Sequence, residues 1–299
     1  MLHQLALVST IRQPSLGELT RVAAALQKQI ARDVSPMWGL QASIAAFASI
    51  RDIPIGYWPV LIMDDIHEPG AAGVHLDKDG RPFAIVQYGP TWSLTASHEC
   101  LEMLIDPSGS KQVSGPSPVP TQGEVNYLVE ACAPSADAQF GYMVDGVIVS
   151  DFVTPQYFEH SGAGGRYSFT GAIKRPLEVL KNGYLSWCDP TSRSWYQQHL
   201  FATQHKVVSL GQASPAFRCM REFTNRGEVD HRRLSHFSIM SPVIRGLQSR
   251  AKQYAEASAA AAEMLTEEIE DIGRRLGGAG RRRRERIDLH LAGASSVVN

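Results

Sequence analysis

The chain has 299 residues, of which 43% are hydrophobic, 20% charged and 8% aromatic, and its formal net charge is −1. This composition is typical of globular proteins and excludes a wholly disordered chain or a coiled-coil rod. The 29 basic residues do not exceed the 30 acidic ones. A nucleic-acid partner is therefore not expected, because proteins that coat nucleic acid carry a strong basic excess.

The sequence carries no signal for export or membrane insertion. Its start, MLHQLALVSTIRQPS, lacks the basic region and cleavage site of a secretory signal. No stretch approaches the ~20 apolar residues that span a bilayer. The four cysteines form no CxxC pair, which is typical of reduced thiols. We therefore expect a soluble, cytoplasmic protein without a membrane partner.

The first half of the chain predicts a helix followed by several strands. Ser15 can cap a helix over residues 16–31, where apolar residues recur at helical spacing, and Pro36 ends the helical pattern. Apolar runs bounded by turn residues predict strands. These strands are expected at residues 5–8, 40–50, 58–63, 73–76 and 83–88.

A second helix is predicted over residues 92–105, because Pro107 stops its apolar pattern. The Ser, Pro and Gly content of residues 108–123 predicts a loop. Further strands are expected at residues 127–132, 142–144 and 147–149, with Asp145-Gly146 as the turn between the last two.

The character of the sequence changes near residue 185, so we predict two regions, 1–184 and 185–299. The second region contains a long helical pattern over residues 241–276, a glycine-rich break at 277–280 and a basic run at 281–286. No catalytic or phosphate-binding pattern follows residue 165. We expect this mainly helical region to bind a protein partner or to have a regulatory role, and not to carry out chemistry.

The strongest chemical signal is TASHECLEMLIDP at residues 95–107, which contains an HExxE pattern. His98 and Glu102 stand one turn apart on one helix face and can hold one metal ion together. Glu99 points about 100° away from His98, so it is placed to take a proton from metal-bound water. Imidazole and carboxylate ligands both suit Zn²⁺. The alternative interpretation is a surface helix with scattered charges.

The element order resembles that of zincin metallopeptidases. In addition, ASHECLEMLIDP, NYLVEACAP and DGVIVSDFVTPQYF resemble uncharacterised bacterial HExxE proteins over roughly residues 35–160. The resemblance implies an α+β fold, with a zincin-like N-terminal domain built on a mixed sheet and an active-site helix, before a mainly helical C-terminal region. It also implies that His98, Glu102 and a distal Glu bind the metal while Glu99 is the general base. Glu130 matches the distal Glu, and Asp106 is a rival third ligand.

One departure from the zincin pattern bears on the metal. Zincins usually have His where this chain has Glu102, and the extra carboxylate adds negative charge. The case for zinc is weaker as a result, and metal-bound water would be less acidic than at an all-His site. The chain is therefore expected to bind metal yet hydrolyse poorly.

The sequence gives less support for a catalytic or metal-binding role of other histidines and tyrosines. His67 and His75 flank a Gly-containing loop and are predicted to lie on the surface. His160 is a candidate hydrogen-bond donor to a transition state. Tyr142 and Tyr157 are predicted to be core aromatics.

The leading hypothesis is a zinc-dependent peptidase acting on a peptide or protein substrate. In it, Glu99 deprotonates the metal-bound water that attacks the peptide carbonyl, then passes the proton to the leaving amine. The alternative is a zincin-like module with weak or no activity that binds or regulates a partner protein.

Overall fold

The computed structural model describes residues 2–66, 71–77, 80–159, 165–201, 204–214 and 219–225. The chain divides into two compact units, Met1–Ser238 and Ile239–Asn299, and the described residues lie in the first. Within these ranges the strands form sheets of five, five and two strands. Helices pack against the first sheet, and a buried apolar core extends from that sheet to the second one.

The first sheet has the spatial order β2-β1-β3-β5-β4. Strands β2, β1, β3 and β5 run parallel, and the edge strand β4 is antiparallel to β5. The central strands are almost wholly apolar and buried, as expected for parallel strands covered on both faces. The strands are β1 (Leu2–Ser9), β2 (Gln41–Phe47), β3 (Trp58–Met63), β4 (Gly73–Asp77) and β5 (Pro82–Gln87).

A nearly continuous helical stretch follows β1. It begins with a capping box, in which the Ser15 side chain accepts from the Glu18 N–H and Glu18 accepts from the Ser15 N–H. The stretch extends past the predicted end at Pro36, because proline is tolerated in a first helical turn, and it stops at Gly39 in the left-handed conformation. Its segments are α1 (Leu16–Gln29), a π-helical turn (Ile30–Val34) and α2 (Ser35–Trp38).

The second sheet has the order β12-β11-β10-β7-β6 and is antiparallel throughout. The predicted loop at residues 108–123 is wrong, because β6 lies there and pairs with β7. The remaining elements include a two-stranded sheet, β8-β9, and two helices. Their bounds are α3 (Trp92–Ile105), β6 (Gln112–Pro116), β7 (Glu124–Leu128), β8 (Tyr142–Val144), β9 (Val147–Val149), β10 (Tyr184–Asp189), β11 (Ser194–Phe201), β12 (Gln204–Gln212) and α4 (Met220–Asn225).

The expected fold class, an α+β zincin-like domain followed by a mainly helical C-terminal region, is wrong. The described residues are mostly β, and their longest helical stretch covers residues 16–38. Beyond residue 184 the described part contains β10, β11 and β12 and the short α4. Aromatic residues in that part pack between strands, such as Trp187 against Tyr196. β10 also pairs with β7, so one sheet contains residues from both sides of position 184.

Several expectations lie outside the described residues. They include the long helical pattern at 241–276, the glycine-rich break, the basic run and the two histidines His67 and His160. None of the helices in the described ranges has the length and apolar character needed to cross a membrane.

A buried polar network ties α3 to α1 and to β9. Ser97 Oγ donates to Gln29 Oε1 at 2.8 Å and accepts from the Ser150 N–H at 2.9 Å. Gln29 Nε2 in turn donates to the Ser150 carbonyl at 2.9 Å. Ser97, Gln29 and Ser150 are all buried, so each of these polar groups depends on its partner instead of on water. The network therefore fixes α3 beside the first helix.

We expect Ser97→Ala to lower the free energy of unfolding by about 1–3 kcal/mol, because it leaves a buried N–H and a buried carbonyl oxygen without partners. Urea denaturation followed by circular dichroism measures the change. Thr20→Ala on the exposed face of α1 is the control and should stay within about 0.5 kcal/mol of the wild type. Equal stabilities for the two variants would contradict the role given to Ser97.

Candidate metal centre

Helix α3 carries one histidine and two glutamates, His98, Glu99 and Glu102, among mainly buried residues. It packs on β4, β5 and β9. The helix approaches β4 closely because position 73 is glycine. A Cβ at Gly73 would lie 2.6 Å from Thr95 Cγ2 and 2.9 Å from Glu99 Oε1. The glycine thus makes room for the Glu99 carboxylate against the edge strand.

His75, in the middle of β4, is fully buried, so the prediction that it is a surface residue is wrong. Its Nε2 lies 3.1 Å from the Asp106 carbonyl oxygen. A carbonyl oxygen can only accept, so Nε2 carries the hydrogen and Nδ1 of the neutral ring keeps a lone pair. Burial lowers the pKa of His75 well below its usual range, with the Arg221 charge acting in the same direction. The ring is therefore neutral at pH 7.

The lone pair of His75 faces two carboxylates. Nδ1 lies 3.7 Å from Glu99 Oε2 and 3.9 Å from Glu102 Oε2, and it has no hydrogen-bond partner among the described residues. The three ligand atoms lie within 4.8 Å of one another, which no other set of three metal-ligating side chains in the described ranges achieves. The side chains are 0%, 6% and 2% exposed. Buried Lewis bases that face one another are stabilised by a cation or a proton between them.

This donor set fits a metal ion. One imidazole nitrogen and two carboxylate oxygens are ligands that zinc accepts, and three protein ligands leave a position for water. The His75 Nε2–H bond to a carbonyl is also the kind of contact that fixes the orientation of metal-binding histidines. Without a cation, protonation is the other way to relieve the cluster. Accordingly, burial raises the pKa of Glu99 above its usual range.

His98 lies at the open side of this cluster. Its Nε2 is 3.4 Å from Glu102 Oε1, and its side chain is 14% exposed, more than any of the other three. Burial lowers the pKa of His98, while the neighbouring Glu99 raises it. His98 is thus the member of the cluster that solvent reaches.

Both oxygens of Glu102 have further partners. Oε1 accepts from the backbone N–H groups of Cys132 at 3.0 Å and Ala133 at 3.2 Å. Oε2 accepts from Nη1 of Arg221, a side chain of α4 that is 1% exposed. Arg221 Nη2 donates to the Val129 carbonyl at 3.0 Å. Burial lowers the pKa of Arg221 to about 9, so the guanidinium remains charged at pH 7 and neutralises part of the carboxylate charge.

The two residues predicted as third ligand, Asp106 and Glu130, accept hydrogen bonds from groups outside the cluster of His75, Glu99 and Glu102. Asp106 follows α3 and holds the next turn, with Oδ1 accepting from Ser108 Oγ at 2.9 Å and Oδ2 from the Lys111 N–H at 2.9 Å. Glu130 is buried after β7, where Oε2 accepts from Ser186 Oγ at 2.7 Å. Burial raises the pKa of Glu130 to about 8, and His98 lies close enough to lower it in part.

The structure thus brings His98, Glu99 and Glu102 together on α3, and adds His75 from β4 and Arg221 from α4. It does not bring Glu130 or Asp106 into the set of three ligand atoms. The ligand set His98, Glu102 and Glu130, with Glu99 as general base, stays a prediction. No sequence signal marked His75 as buried, because it alternates with the apolar Val74 and Leu76 and such a residue is expected on the opposite, solvent-facing side of β4. No local pattern marks Arg221.

Comparison with known proteins adds no assignment to this centre, since no family model, curated protein or solved structure matches the chain. The resemblance to zincin metallopeptidases accordingly stays a prediction from the motifs.

We expect Gly73→Ala to destabilise the protein by about 1–3 kcal/mol, because the added methyl group forces Thr95 and Glu99 away from β4. It should also weaken zinc binding, since Glu99 moves. Denaturation and isothermal titration with zinc measure the two effects. Gly89→Ala is the matched control, because a Cβ at that position meets no atom within 4 Å. If both variants match the wild type, β4 does not set the position of Glu99.

Proposed function

We propose that this chain is a metal-dependent hydrolase acting on peptide bonds, with one zinc ion bound by His75, Glu99 and Glu102. The observation that carries the proposal is the buried Nδ1 lone pair of His75, which faces two carboxylates at 3.7 and 3.9 Å without a hydrogen-bond partner. The choice of peptide bonds as substrate rests on the HExxE motif of α3. A cytoplasmic location is part of the same proposal.

The residues of the chain have distinct parts in this proposal. A bound zinc ion would polarise a substrate carbonyl and acidify a water molecule. His75 is oriented for binding by its Nε2–H bond to the Asp106 carbonyl, and Glu102 by the N–H groups of Cys132 and Ala133. His98, neutral and the most exposed of the cluster, is placed to accept a proton from the attacking water.

The ligand set taken from the sequence gives a second version of the same function. In it His98, Glu102 and Glu130 bind the metal, and Glu99 is the general base. The two versions differ in what His75 and Glu99 do, so substitutions at these residues separate them.

Zinc content should distinguish the ligand sets. We expect one zinc ion per wild-type chain and its loss in His75→Ala, because that variant lacks a ligand. His205→Ala, on β12 and exposed, is the control and should retain zinc. Elemental analysis of the purified, dialysed proteins measures the stoichiometry. Retention of zinc by His75→Ala with loss in His98→Ala would favour the ligand set taken from the sequence, and a zinc-free wild type would exclude both.

Glu99→Gln tests whether Glu99 binds the metal or acts as the general base. We expect zinc affinity to fall by more than about tenfold, which is the smallest usual loss when a residue that only supports a ligand is changed. Cleavage of an unfolded protein substrate should fall with it. Zinc titration and gel-based cleavage assays give the two readouts, with the exposed Glu124→Gln as control. Full zinc affinity combined with lost cleavage would make Glu99 the general base. Absence of cleavage by the zinc-loaded wild type would rule out the peptidase.

One observation favours a second candidate function, a metal-stabilised module without activity. His75, Glu99 and Glu102 are nearly inaccessible, and Glu102 is already paired with Arg221. In such a module the bound metal stabilises the fold, and the region 185–299 binds a partner protein. Zinc would then raise the melting temperature without supporting cleavage.

A further inference from the structure

Arg221 and the proposed metal use the same oxygen atom. Glu102 Oε2 is the carboxylate oxygen that faces His75 Nδ1, and it is also the oxygen to which Arg221 Nη1 donates. A cation bound between His75 and Glu102 would therefore lie beside the guanidinium. Two positive charges that share one buried carboxylate oxygen repel each other strongly, because a protein interior screens charge less than water does.

The backbone around Arg221 is held by a loop shaped to receive it. The Arg221 N–H donates to the Gly109 carbonyl at 2.9 Å, and the Met220 N–H donates to Ser110 Oγ at 3.0 Å. A Cβ at Gly109 would lie 2.5 Å from Cys219 Sγ and 3.3 Å from Arg221 Cβ, so the glycine provides the space for this segment. Residues 219–225, which we call the Arg221 segment, are thus fixed at the centre by side-chain and backbone contacts.

Arg221 also lies near a second buried carboxylate, that of Asp106. Its Nη2 is 4.0 Å from Asp106 Oδ2, while its Nε is buried without a hydrogen-bond partner among the described residues. The guanidinium is therefore retained mainly by the charge of Glu102 and by the Val129 carbonyl. A metal ion bound to Glu102 would take part of the carboxylate charge that attracts the guanidinium. The charged hydrogen bond to Glu102, the strongest contact of Arg221, would then be weakened.

We propose that Arg221 is a tethered cation that competes with the metal for Glu102 Oε2, so that metal binding releases the Arg221 segment. The inference rests on the proposed metal centre and names its regulation. Coupling between two binding events is reciprocal. Whatever holds the Arg221 segment in place lowers the metal affinity, and whatever draws it away raises that affinity.

The first test uses the full wild-type chain, stripped of metal by a chelator and then saturated with zinc ions. Hydrogen–deuterium exchange with mass spectrometry follows the peptide containing residues 219–225. Its amides should exchange at least about tenfold faster with zinc, because the bonds to Gly109 and Ser110 open. Unchanged or slower exchange at zinc saturation would overturn the competition, while leaving the metal centre intact.

The second test measures zinc affinity by titration in Arg221→Met, which removes the competing cation. The zinc Kd should fall by about 5-fold to 150-fold, the usual range of coupling between two sites. Arg175→Met, at an exposed arginine whose carboxylate partner is Glu178, is the control and should leave the Kd unchanged. An equal or weaker affinity in a folded Arg221→Met variant would contradict the proposal. If that variant does not fold, hydrogen exchange of the wild type decides.

The two proposals fail in distinguishable ways. If neither the wild type nor Arg221→Met binds zinc, the metal centre and the competition are both wrong. If both bind zinc with the same affinity and the Arg221 segment keeps its exchange rate, the metal centre stands and only the competition is wrong.

Discussion

The hydrogen bond from His75 Nε2 to the Asp106 carbonyl determines the chemistry of the whole centre. It joins the edge strand β4 to the residue that follows α3, and it leaves the Nδ1 lone pair facing the carboxylates of that helix. If the ring carried its hydrogen on Nδ1 instead, that hydrogen would face Glu99 and Glu102, and Nε2 would face the Asp106 carbonyl with no hydrogen between them. One carbonyl thus decides whether His75 presents a lone pair or a hydrogen to the two carboxylates.

Local signals allowed the sequence to predict much of the first sheet and the central helix. Strand β3 and helix α3 have their predicted bounds, because an apolar run ends in polar residues in one case and Pro107 stops the pattern in the other. The adjacency of His98 and Glu102 follows from helical spacing alone. The burial of His75 could not be predicted, since it depends on β4 pairing with β5 and lying under α3. Arg221 reaches Glu102 from 119 positions along the chain.

The region beyond residue 184 was expected to be helical and separate from the chemistry. Its described part instead contributes strands, and side chains on two of them hold Glu130, a predicted ligand that lies outside the set of three ligand atoms. Ser186 on β10 holds Glu130, and Gln197 Nε2 on β11 donates to Ser186 Oγ at 3.1 Å. The aromatic residues of β10 and β11 are typical of strands, but the polar residues between them give no clear apolar alternation. The second sheet therefore orients Glu130, which follows its own strand β7.

The close contact between Gly109 and Cys219 has an evolutionary consequence. A lineage that keeps the Arg221 segment is constrained at two distant codons, because a larger residue at position 109 would displace the segment. A lineage that lost the segment would be constrained at position 109 only by the positive φ there, which favours glycine. Substitutions at positions 109, 219 and 221 should therefore covary among homologous sequences. Their covariation would show in which homologues the tethered arginine was retained.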